Sequence, residues 1–240
     1  MTNHALVNLD DHKDTRIIDT RSELYGDNVM FTMTFPFEFR NIQQCYPIFF
    51  HKNSETGALY PVALFGFKDK ENLFLNSDGW SAPYVPLMIK RQPFFIGFQK
   101  DQDDPDKRSA KVAIDMDSPR ISADEGEALF EEHGGNSEFL IRATQNLEMI
   151  NAGNQHSEKF VAALIEHDLI ESFSLDIELS DGSDNQLLGF YTINEDKLQE
   201  LDGATMESFN KQGFLQPIFM LLASHSCMST LLGYKNATLV

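Results

Sequence analysis

The chain has 240 residues, a hydrophobic fraction of 42% and 20 phenylalanines, which is enough apolar material for a sizeable core without disulfide staples. Its 19 basic and 37 acidic residues give a formal net charge of −18, and a field of that sign repels phosphate backbones and anionic lipids. The composition therefore argues against nucleic-acid binding and membrane-surface binding, and it predicts a soluble, acidic protein.

The first half of the chain has the pattern of β-strands separated by turns. Residues 31–35 alternate with period two, which is typical of a half-buried strand. The apolar runs 46–50 and 59–66 flank turn-forming residues at 53–57, and this pattern predicts a β-hairpin. Further strands are predicted at residues 94–98 and 111–115.

Three segments of this half are less regular. Residues 83–90 suit either a short helix or an extended crossing, because Pro86 is tolerated only in a first helical turn. Residues 101–106 contain no apolar side chain, so we expect a solvated loop there. Residues 124–135 are rich in turn formers, which favours turns over a longer element.

The second half begins with a helical pattern. Apolar residues recur at spacings of three and four from Leu140 to Ile150, and the same face continues from Val161 to Ile165. Gly153 lies between these stretches and would cost about 1 kcal/mol relative to Ala inside a helix. The register favours one helix across residues 137–168, with two helices as the open alternative.

A late hairpin and several short helices follow. Residues 173–179 alternate strictly between apolar and polar side chains, and a turn at 180–185 leads into the apolar residues 187–193. Side chains that begin or end helices then predict three more helices. Asn194 would cap the first of these helices. Thr205 would cap the second, which ends at Gly213, and Pro217 would lie in the first turn of the last, which runs through Leu222.

Together these elements predict an α+β fold. A mainly antiparallel sheet from the N-terminal half and the late hairpin would pack with helices from the C-terminal half. No internal repeat or linker is visible, so we expect a single domain over residues 1–240. Cys45 and Cys227 belong to no C-x-x-C pair, and we expect two buried thiols, with a disulfide between them as the alternative.

The ends of the chain bear on location. The N-terminus has neither the basic nor the apolar region of a signal peptide. The apolar stretch 214–223 is shorter than the roughly 20 residues that span a bilayer. We therefore predict a cytoplasmic protein without a transmembrane segment, and surface association by a signal-independent route stays open.

The sequence contains no recognised catalytic motif. It has no Walker A loop, no G-x-G-x-x-G, no nucleophile elbow and no H-E-x-x-H pair. The run from Ser224 to Cys227 lacks a third catalytic partner and is better interpreted as a helix end. We accordingly predict no catalytic residues, no metal site and no cofactor.

The best candidate binding site is the basic pair Lys90 and Arg91, which lies near Trp80 and Tyr84 in the sequence. The two cations would clamp a carboxylate or phosphate while the two rings stack on a sugar or another ring. In the alternative interpretation, the cations lie at a helix end, where they offset the helix dipole or pair with nearby carboxylates.

Several blocks of the sequence, in order, resemble the bacterial SapC family over about residues 40–225. The similar blocks are Cys45-Tyr46-Pro47-Ile48-Phe49-Phe50, Pro61-Val62-Ala63-Leu64-Phe65-Gly66, Glu71-Asn72-Leu73-Phe74, Trp80 with Tyr84-Val85-Pro86, Lys90-Arg91-Gln92-Pro93-Phe94, Ile114-Asp115, Gly126-Glu127-Ala128-Leu129-Phe130, and Gly189-Phe190-Tyr191-Thr192-Ile193-Asn194-Glu195 with Leu198 and Leu201. Gln92 and Phe190 stand where the family usually has Tyr and Leu.

The SapC resemblance implies an accessory role in nutrient uptake. Related genes are often found beside those of TonB-dependent receptors, cupin-like hydroxylases and tryptophan-halogenase-like proteins, which are candidate partners. A permease label carried by some members disagrees with the lack of a predicted membrane span. The resemblance supplies no catalytic residue and leaves the oligomeric state open.

Three functions follow from these observations. The leading hypothesis is a non-catalytic binding or accessory protein of a bacterial envelope- or uptake-related system. The second is an enzyme, or enzyme subunit, that acts on a carbohydrate or amino-acid-derived substrate held near the basic pair. The third, which the family name alone suggests, is a structural protein associated with the surface layer.

Overall fold

The structure, a computed structural model, describes residues 3–100 and 108–239. The loop predicted at residues 101–106 lies outside the described residues. Within them, the strands are β1 (His4–Leu6), β2 (Arg16–Ile17), β3 (Phe31–Met33), β4 (Ile48–Lys52), β5 (Leu59–Leu64), β6 (Leu75–Asn76), β7 (Gly79–Trp80), β8 (Phe94–Lys100), β9 (Arg108–Asp115), β10 (Ile121–Ser122), β11 (Glu127–Ala128), β12 (Ile170–Glu178) and β13 (Asp184–Ile193).

The helices are concentrated in the second half of the chain. They are α1 (Leu9–His12), α2 (Phe39–Ile42), α3 (Leu87–Lys90), α4 (Glu138–Glu166), α5 (Glu195–Gln199), α6 (Gly203–Lys211), α7 (Leu215–Ser224) and α8 (Cys227–Ala237). With antiparallel pairing throughout the described sheets, the architecture confirms the predicted α+β class.

The chain divides into two compact units, and each takes residues from two separate stretches. Unit 1 consists of residues 1–27 and 87–151, and unit 2 consists of residues 28–86 and 152–240. The single domain expected from the sequence stays a prediction, and the two units are described separately.

Unit 1 is built on a three-stranded sheet in the order β1-β9-β8. Its core contains Ile17, Phe94, Ile114 and Leu129, together with the apolar face at the start of α4. The strands β8 and β9 agree with the sequence, whereas β1 and the small sheet β10-β2-β11 were not predicted. These elements have only two or three residues each, which is too short to display a period.

An ion pair is fully buried in unit 1. Arg120 and Asp27 are both 0% exposed, and Nη2 of Arg120 lies 2.6 Å from Oδ2 of Asp27. The other guanidinium nitrogen, Nη1, donates to the carbonyl oxygens of Ile18 (2.9 Å) and Thr20 (2.8 Å). This side chain therefore joins two loops that are almost one hundred residues apart in the sequence.

Unit 2 contains a five-stranded sheet in the order β12-β13-β4-β5-β3. The predicted hairpins β4–β5 and β12–β13 are both confirmed, and β13 pairs with β4 through Tyr191 and Phe50. Phenylalanines fill the core of this unit, as the composition suggested; Phe35, Phe39, Phe49, Phe50, Phe65 and Phe160 are each completely buried.

The helix α4 is continuous over 29 residues, which confirms one helix where the sequence left two as an alternative. In unit 2 its Gly153 is buried, and a Cβ built there would lie 2.8 Å from Cγ of Phe35 and 2.4 Å from Cε1 of Phe37. The two rings stack on each other with centroids 5.7 Å apart. Glycine therefore occupies this position because the rings leave no room for a side chain.

We expect Gly153→Ala to lower the free energy of unfolding by about 1–3 kcal/mol, because overpacking at Phe35 outweighs the better helix propensity of Ala. The matched control is Gly233→Ala in α8, where a Cβ would meet nothing within 4 Å. That change should raise stability by up to about 1 kcal/mol. Urea unfolding followed by fluorescence of Trp80, the single tryptophan, measures both; a stabilised Gly153→Ala protein would contradict the packing argument.

Two details of the C-terminal helices differ from the sequence-based expectation. The helix α6 is capped by Asp202, whose Oδ1 accepts the N–H of Thr205 at 2.7 Å, so Thr205 was wrongly predicted as the cap. Both residue types cap helices, but the backbone of Asp202 is extended and Thr205 already lies within the helix. The helix α7 was predicted to be the last helix, but the structure has a further helix, α8, after it.

The two last helices also bear on the membrane question. By length and composition alone, the run Leu215–Ala237 could cross a membrane. In the structure it consists of α7 and α8, and Ile218, Leu221 and Leu231 are fully buried in unit 2. Only 28% of its most apolar window is buried, and a single run of this kind is weak evidence for a span, so the absence of a transmembrane segment stays a prediction.

Candidate functional site

The structure places the four predicted site residues in different units. Trp80 and Tyr84 belong to unit 2, whereas Lys90 and Arg91 belong to unit 1. Each pair is therefore examined within its own unit, and a site made of all four residues stays a prediction.

In unit 2, the polar atoms of Trp80 and Tyr84 form part of a hydrogen-bonded chain. Nε1 of Trp80 donates to the hydroxyl of Tyr46 at 2.7 Å, and that hydroxyl donates to the backbone carbonyl of Tyr84. The hydroxyl of Tyr84 donates to Oε1 of Glu38 at 2.7 Å, and Oγ1 of Thr34 donates to Oε2 at 3.1 Å. The buried carboxylate of Glu38 thus receives two side-chain donors.

The surroundings of Tyr46 and Tyr84, the two tyrosines in this series of hydrogen bonds, keep their hydroxyl groups protonated. Burial raises the pKa of Tyr84 above its usual value, and the neighbouring carboxylate of Glu38 raises it further. Burial also raises the pKa of Tyr46. Each hydroxyl therefore keeps the proton that it donates to its hydrogen-bond acceptor. The ring of Trp80 packs edge-on against Phe65 with centroids 5.2 Å apart, so its contacts within unit 2 stabilise the core.

In unit 1, Arg91 lines an open pocket with a volume of about 440 Å³. The pocket lies at one end of the three-stranded sheet, where β1 and β8 begin and β9 ends. Residue Asp115 at the end of β9 pairs with His4 at the start of β1. The lining residues are His4, Arg91, Gln92, Pro93, Phe95, Asp115, Asp117, Ser118 and Pro119.

The guanidinium of Arg91 is held in place but lacks a counter-ion among the described residues. Its Nη1 donates to the carbonyl oxygen of Phe94 at 2.8 Å, which fixes the orientation of the side chain. No carboxylate oxygen of the described residues lies within the 4 Å of an ion pair. Partial burial lowers the pKa of Arg91, which shows that the charge is incompletely solvated. Such a group gains from binding an anion.

Two carboxylates, those of Asp115 and Asp117, also belong to the lining. Oδ1 of Asp115 accepts the N–H of Asp117 at 3.1 Å, and Oδ2 of Asp117 accepts the N–H of Asn3 at 3.0 Å. The rings of His4 and Phe95 lie side by side with centroids 4.5 Å apart. The pocket therefore combines one cation, two fixed carboxylates and an aromatic wall.

Lys90 is exposed in the last turn of α3, where a cation interacts favourably with the helix dipole. This is the position that the helix-end interpretation expects for it. Among the two cations, Arg91 is thus the one that the structure associates with a pocket.

Sequence reasoning missed most of the residues around both predicted pairs. In unit 2, it did not predict Glu38 or Tyr46 as site residues. In unit 1, it did not predict His4, Phe95 or Asp115 as site residues. Asp115 had a usable signal, because it ends a predicted strand and is followed closely by Asp117. His4 had none, since β1 is only three residues long.

The titratable residue His225 lies at the C-terminal end of α7 in unit 2. The ring of His225 stacks on Phe49 with centroids 4.9 Å apart, and its Nε2 lies 3.4 Å from Oγ1 of Thr192. Ser224 beside it is fully buried, accepts the N–H of Ile48 at 2.8 Å and donates to the carbonyl of Leu221 at 2.5 Å. These contacts agree with the predicted helix end.

The burial of His225 predicts a pH dependence of stability. Burial lowers the pKa of His225 in the folded protein, whereas the unfolded chain binds a proton below about pH 6.5. The free energy of unfolding should therefore fall as the pH drops below about 6.5. We expect His225→Gln to show a smaller fall than the wild type in urea unfolding at pH 7.5 and 5.5. Replacing the exposed His133 with Gln serves as the control, and equal falls in all three proteins would contradict the prediction.

Cys45 and Cys227 are buried free thiols in unit 2, as the sequence favoured, and Sγ of Cys227 donates to the carbonyl of Gln43. Among residues 3–100 and 108–239, no group of three His, Cys, Asp or Glu side chains is arranged to hold a metal ion.

The comparison with known proteins gives one result. A family model described as SapC matches residues 7–231 of the 240-residue chain. No curated protein and no solved structure matches the chain. The matched range covers elements of both units, from α1 into α8.

Proposed function

Because the chain belongs to the SapC family, we propose that it is a non-catalytic binding protein of a bacterial envelope- or nutrient-uptake-related system, with its small-molecule site at the Arg91 pocket of unit 1. The observation that carries this proposal is the guanidinium of Arg91. It is partly buried, fixed by one hydrogen bond and without a counter-ion among the described residues, in a protein of net charge −18. A cation in that setting favours a ligand with a carboxylate or phosphate group.

The binding part of the proposal is tested by calorimetry with a panel of carboxylates, amino acids and inorganic phosphate. We expect at least one class to bind, and Arg91→Met to weaken that binding at least tenfold because the bound anion loses the partly buried guanidinium. The control is Arg142→Met, which removes the same charge from an exposed side chain of unit 1 outside the pocket. Equal affinities for wild type and Arg91→Met would refute the site.

Two further measurements guard this test. Thermal unfolding of Arg91→Met shows whether the variant folds, since the bond to the carbonyl of Phe94 is lost with the guanidinium. Arg91→Lys keeps the charge without the planar fork, so binding should be intermediate.

Mass spectrometry of the ligand after long incubation tests the non-catalytic part, and conversion of the ligand into a product would favour the enzyme alternative.

The accessory role is tested separately. Affinity capture from the native host under mild conditions should recover a protein partner, with TonB-dependent receptors and cupin-like or halogenase-like proteins as the candidates that the family resemblance suggests. Recovery of no partner would count against this role. Cell fractionation tests the cytoplasmic location, and recovery from the washed surface fraction alone would favour the surface-layer alternative.

A further inference from the structure

We infer that the Arg91 pocket selects zwitterions, namely free amino acids with an apolar or aromatic side chain, over simple anions and simple amines. This inference rests on the proposed binding function and narrows it to one ligand class. It follows from the arrangement of charges and rings around the pocket, which no single-charge ligand satisfies.

The lining contains both signs of charge without pairing them. Arg91 lies in the same pocket as Asp115 and Asp117, yet neither carboxylate is within ion-pair distance of its guanidinium. Arg91 and Asp115 are partly buried, so each loses part of its solvation without a charged partner, whereas Asp117 is exposed to solvent. A ligand that places an anionic group at Arg91 and a cationic group at the carboxylates would satisfy both.

Backbone N–H groups orient the carboxylates of Asp115 and Asp117. The N–H of Asp117 fixes Oδ1 of Asp115, and the N–H of Asn3 fixes Oδ2 of Asp117. The second oxygen of each takes part in no hydrogen bond among the described residues. A primary ammonium group offers three donors, which suits two carboxylate oxygens that are not otherwise used.

The aromatic wall points to the rest of the ligand. The rings of His4 on β1 and Phe95 on β8 lie with centroids 4.5 Å apart, although β9 separates the two strands in the sheet, and Pro93 and Pro119 add apolar surface. Apolar side chains bind against such walls by removing surface from water. A pocket of about 440 Å³ accommodates one amino acid with a ring and leaves room for a few waters.

Other ligand classes fit less well. A plain anion at Arg91 would lie in the field of Asp115 and Asp117, as well as that of a protein with net charge −18. A plain amine would be repelled by the positive charge of the Arg91 guanidinium. A ligand that carries both charges avoids each repulsion, and the α-ammonium and α-carboxylate groups of an amino acid supply them.

The test uses three compounds that share one ring and differ in their charges. L-phenylalanine carries both groups, 3-phenylpropionate lacks the ammonium group, and 2-phenylethylamine lacks the carboxylate. We expect calorimetry on the full chain to give at least tenfold tighter binding for L-phenylalanine than for either analogue. Glycine, which lacks the ring, should also bind at least tenfold more weakly than L-phenylalanine.

Variants assign the discrimination to named residues. Asp115→Asn should reduce the preference for L-phenylalanine over 3-phenylpropionate to less than threefold, while binding of 3-phenylpropionate stays equal or tightens. Asp124→Asn is the control, because this exposed residue of unit 1 lies outside the pocket. An unchanged preference in Asp115→Asn would overturn the inference.

The outcomes separate this inference from the proposed function. Equal binding of 3-phenylpropionate and L-phenylalanine, lost in Arg91→Met, would overturn the zwitterion inference and leave an anion-binding protein. Equal or tighter binding of 2-phenylethylamine would overturn it and show a cation site instead. If none of the three compounds binds but inorganic phosphate does, the inference fails alone; if neither binds, the inference and the Arg91 site fail together.

Discussion

Replacing Arg120 with Met is expected to lower the free energy of unfolding by about 3–5 kcal/mol, because the fully buried carboxylate of Asp27 loses its nearest cation and keeps only the longer ion pair with Arg21 at 3.9 Å. Both side chains are 0% exposed and lie 2.6 Å apart. Two carbonyl oxygens, those of Ile18 and Thr20, lose their donor in the same variant. The large effect thus comes from the groups that stay behind.

Urea unfolding followed by far-ultraviolet circular dichroism measures this loss, and hydrogen exchange in residues 16–27 localises it. The control is Arg142→Met, since the pair between Arg142 and Glu138 is exposed and should contribute less than about 0.5 kcal/mol. Adding Asp27→Asn should recover part of the stability, because the double variant buries no uncompensated charge. A loss below about 1 kcal/mol for Arg120→Met would contradict the argument.

A second large effect is expected for Lys235→Met in unit 2, at about 2–4 kcal/mol. Nζ of Lys235 lies 2.5 Å from Oε1 of Glu71, and the two side chains are only 9% and 18% exposed. The other oxygen of Glu71 accepts the N–H of Phe67 at 2.8 Å, so the carboxylate stays in place when the cation is removed. Methionine keeps most of the apolar volume, and the variant therefore isolates the charge.

The chain offers a control with the same geometry. Nζ of Lys211 also lies 2.5 Å from a carboxylate oxygen, that of Glu207, but these side chains are 71% and 64% exposed. Lys211→Met should change stability by less than about 0.5 kcal/mol. Fluorescence of Trp80 during urea unfolding reports on unit 2 in both variants. Similar losses for the two lysines would show that burial does not decide the strength of these pairs.

The fold was predictable where local periodicity carries the information. The hairpins β4–β5 and β12–β13 and the helix α4 were all found from the spacing of apolar residues. The reason that α4 tolerates Gly153 was not predictable, because it depends on Phe35 and Phe37, more than one hundred residues away in the sequence. Sequence patterns report which face of an element is apolar and do not report what lies against it.

The candidate site shows the same limit more strongly. Arg91 was found because a basic pair stands out in an acidic chain. Its neighbours in the pocket come from the ends of three strands, and pairing between β1 and β9 brings His4 and Asp115 together across more than one hundred residues. Trp80 and Tyr84, which are close to Arg91 in the sequence, have their hydrogen bonds within unit 2. Closeness along the chain therefore does not identify the other lining residues of the Arg91 pocket.

The pairing of β13 with β4 has a consequence for the synthesis of the protein. The strands β3, β4 and β5 leave the ribosome early, but the strand that covers the edge of β4 ends only at Ile193. Until then the nascent chain carries an uncovered strand edge beside Phe49 and Phe50, and such edges pair readily with other chains. The five-stranded sheet can therefore be completed only after Ile193 has been synthesised, and until then the growing chain is exposed to aggregation through this edge.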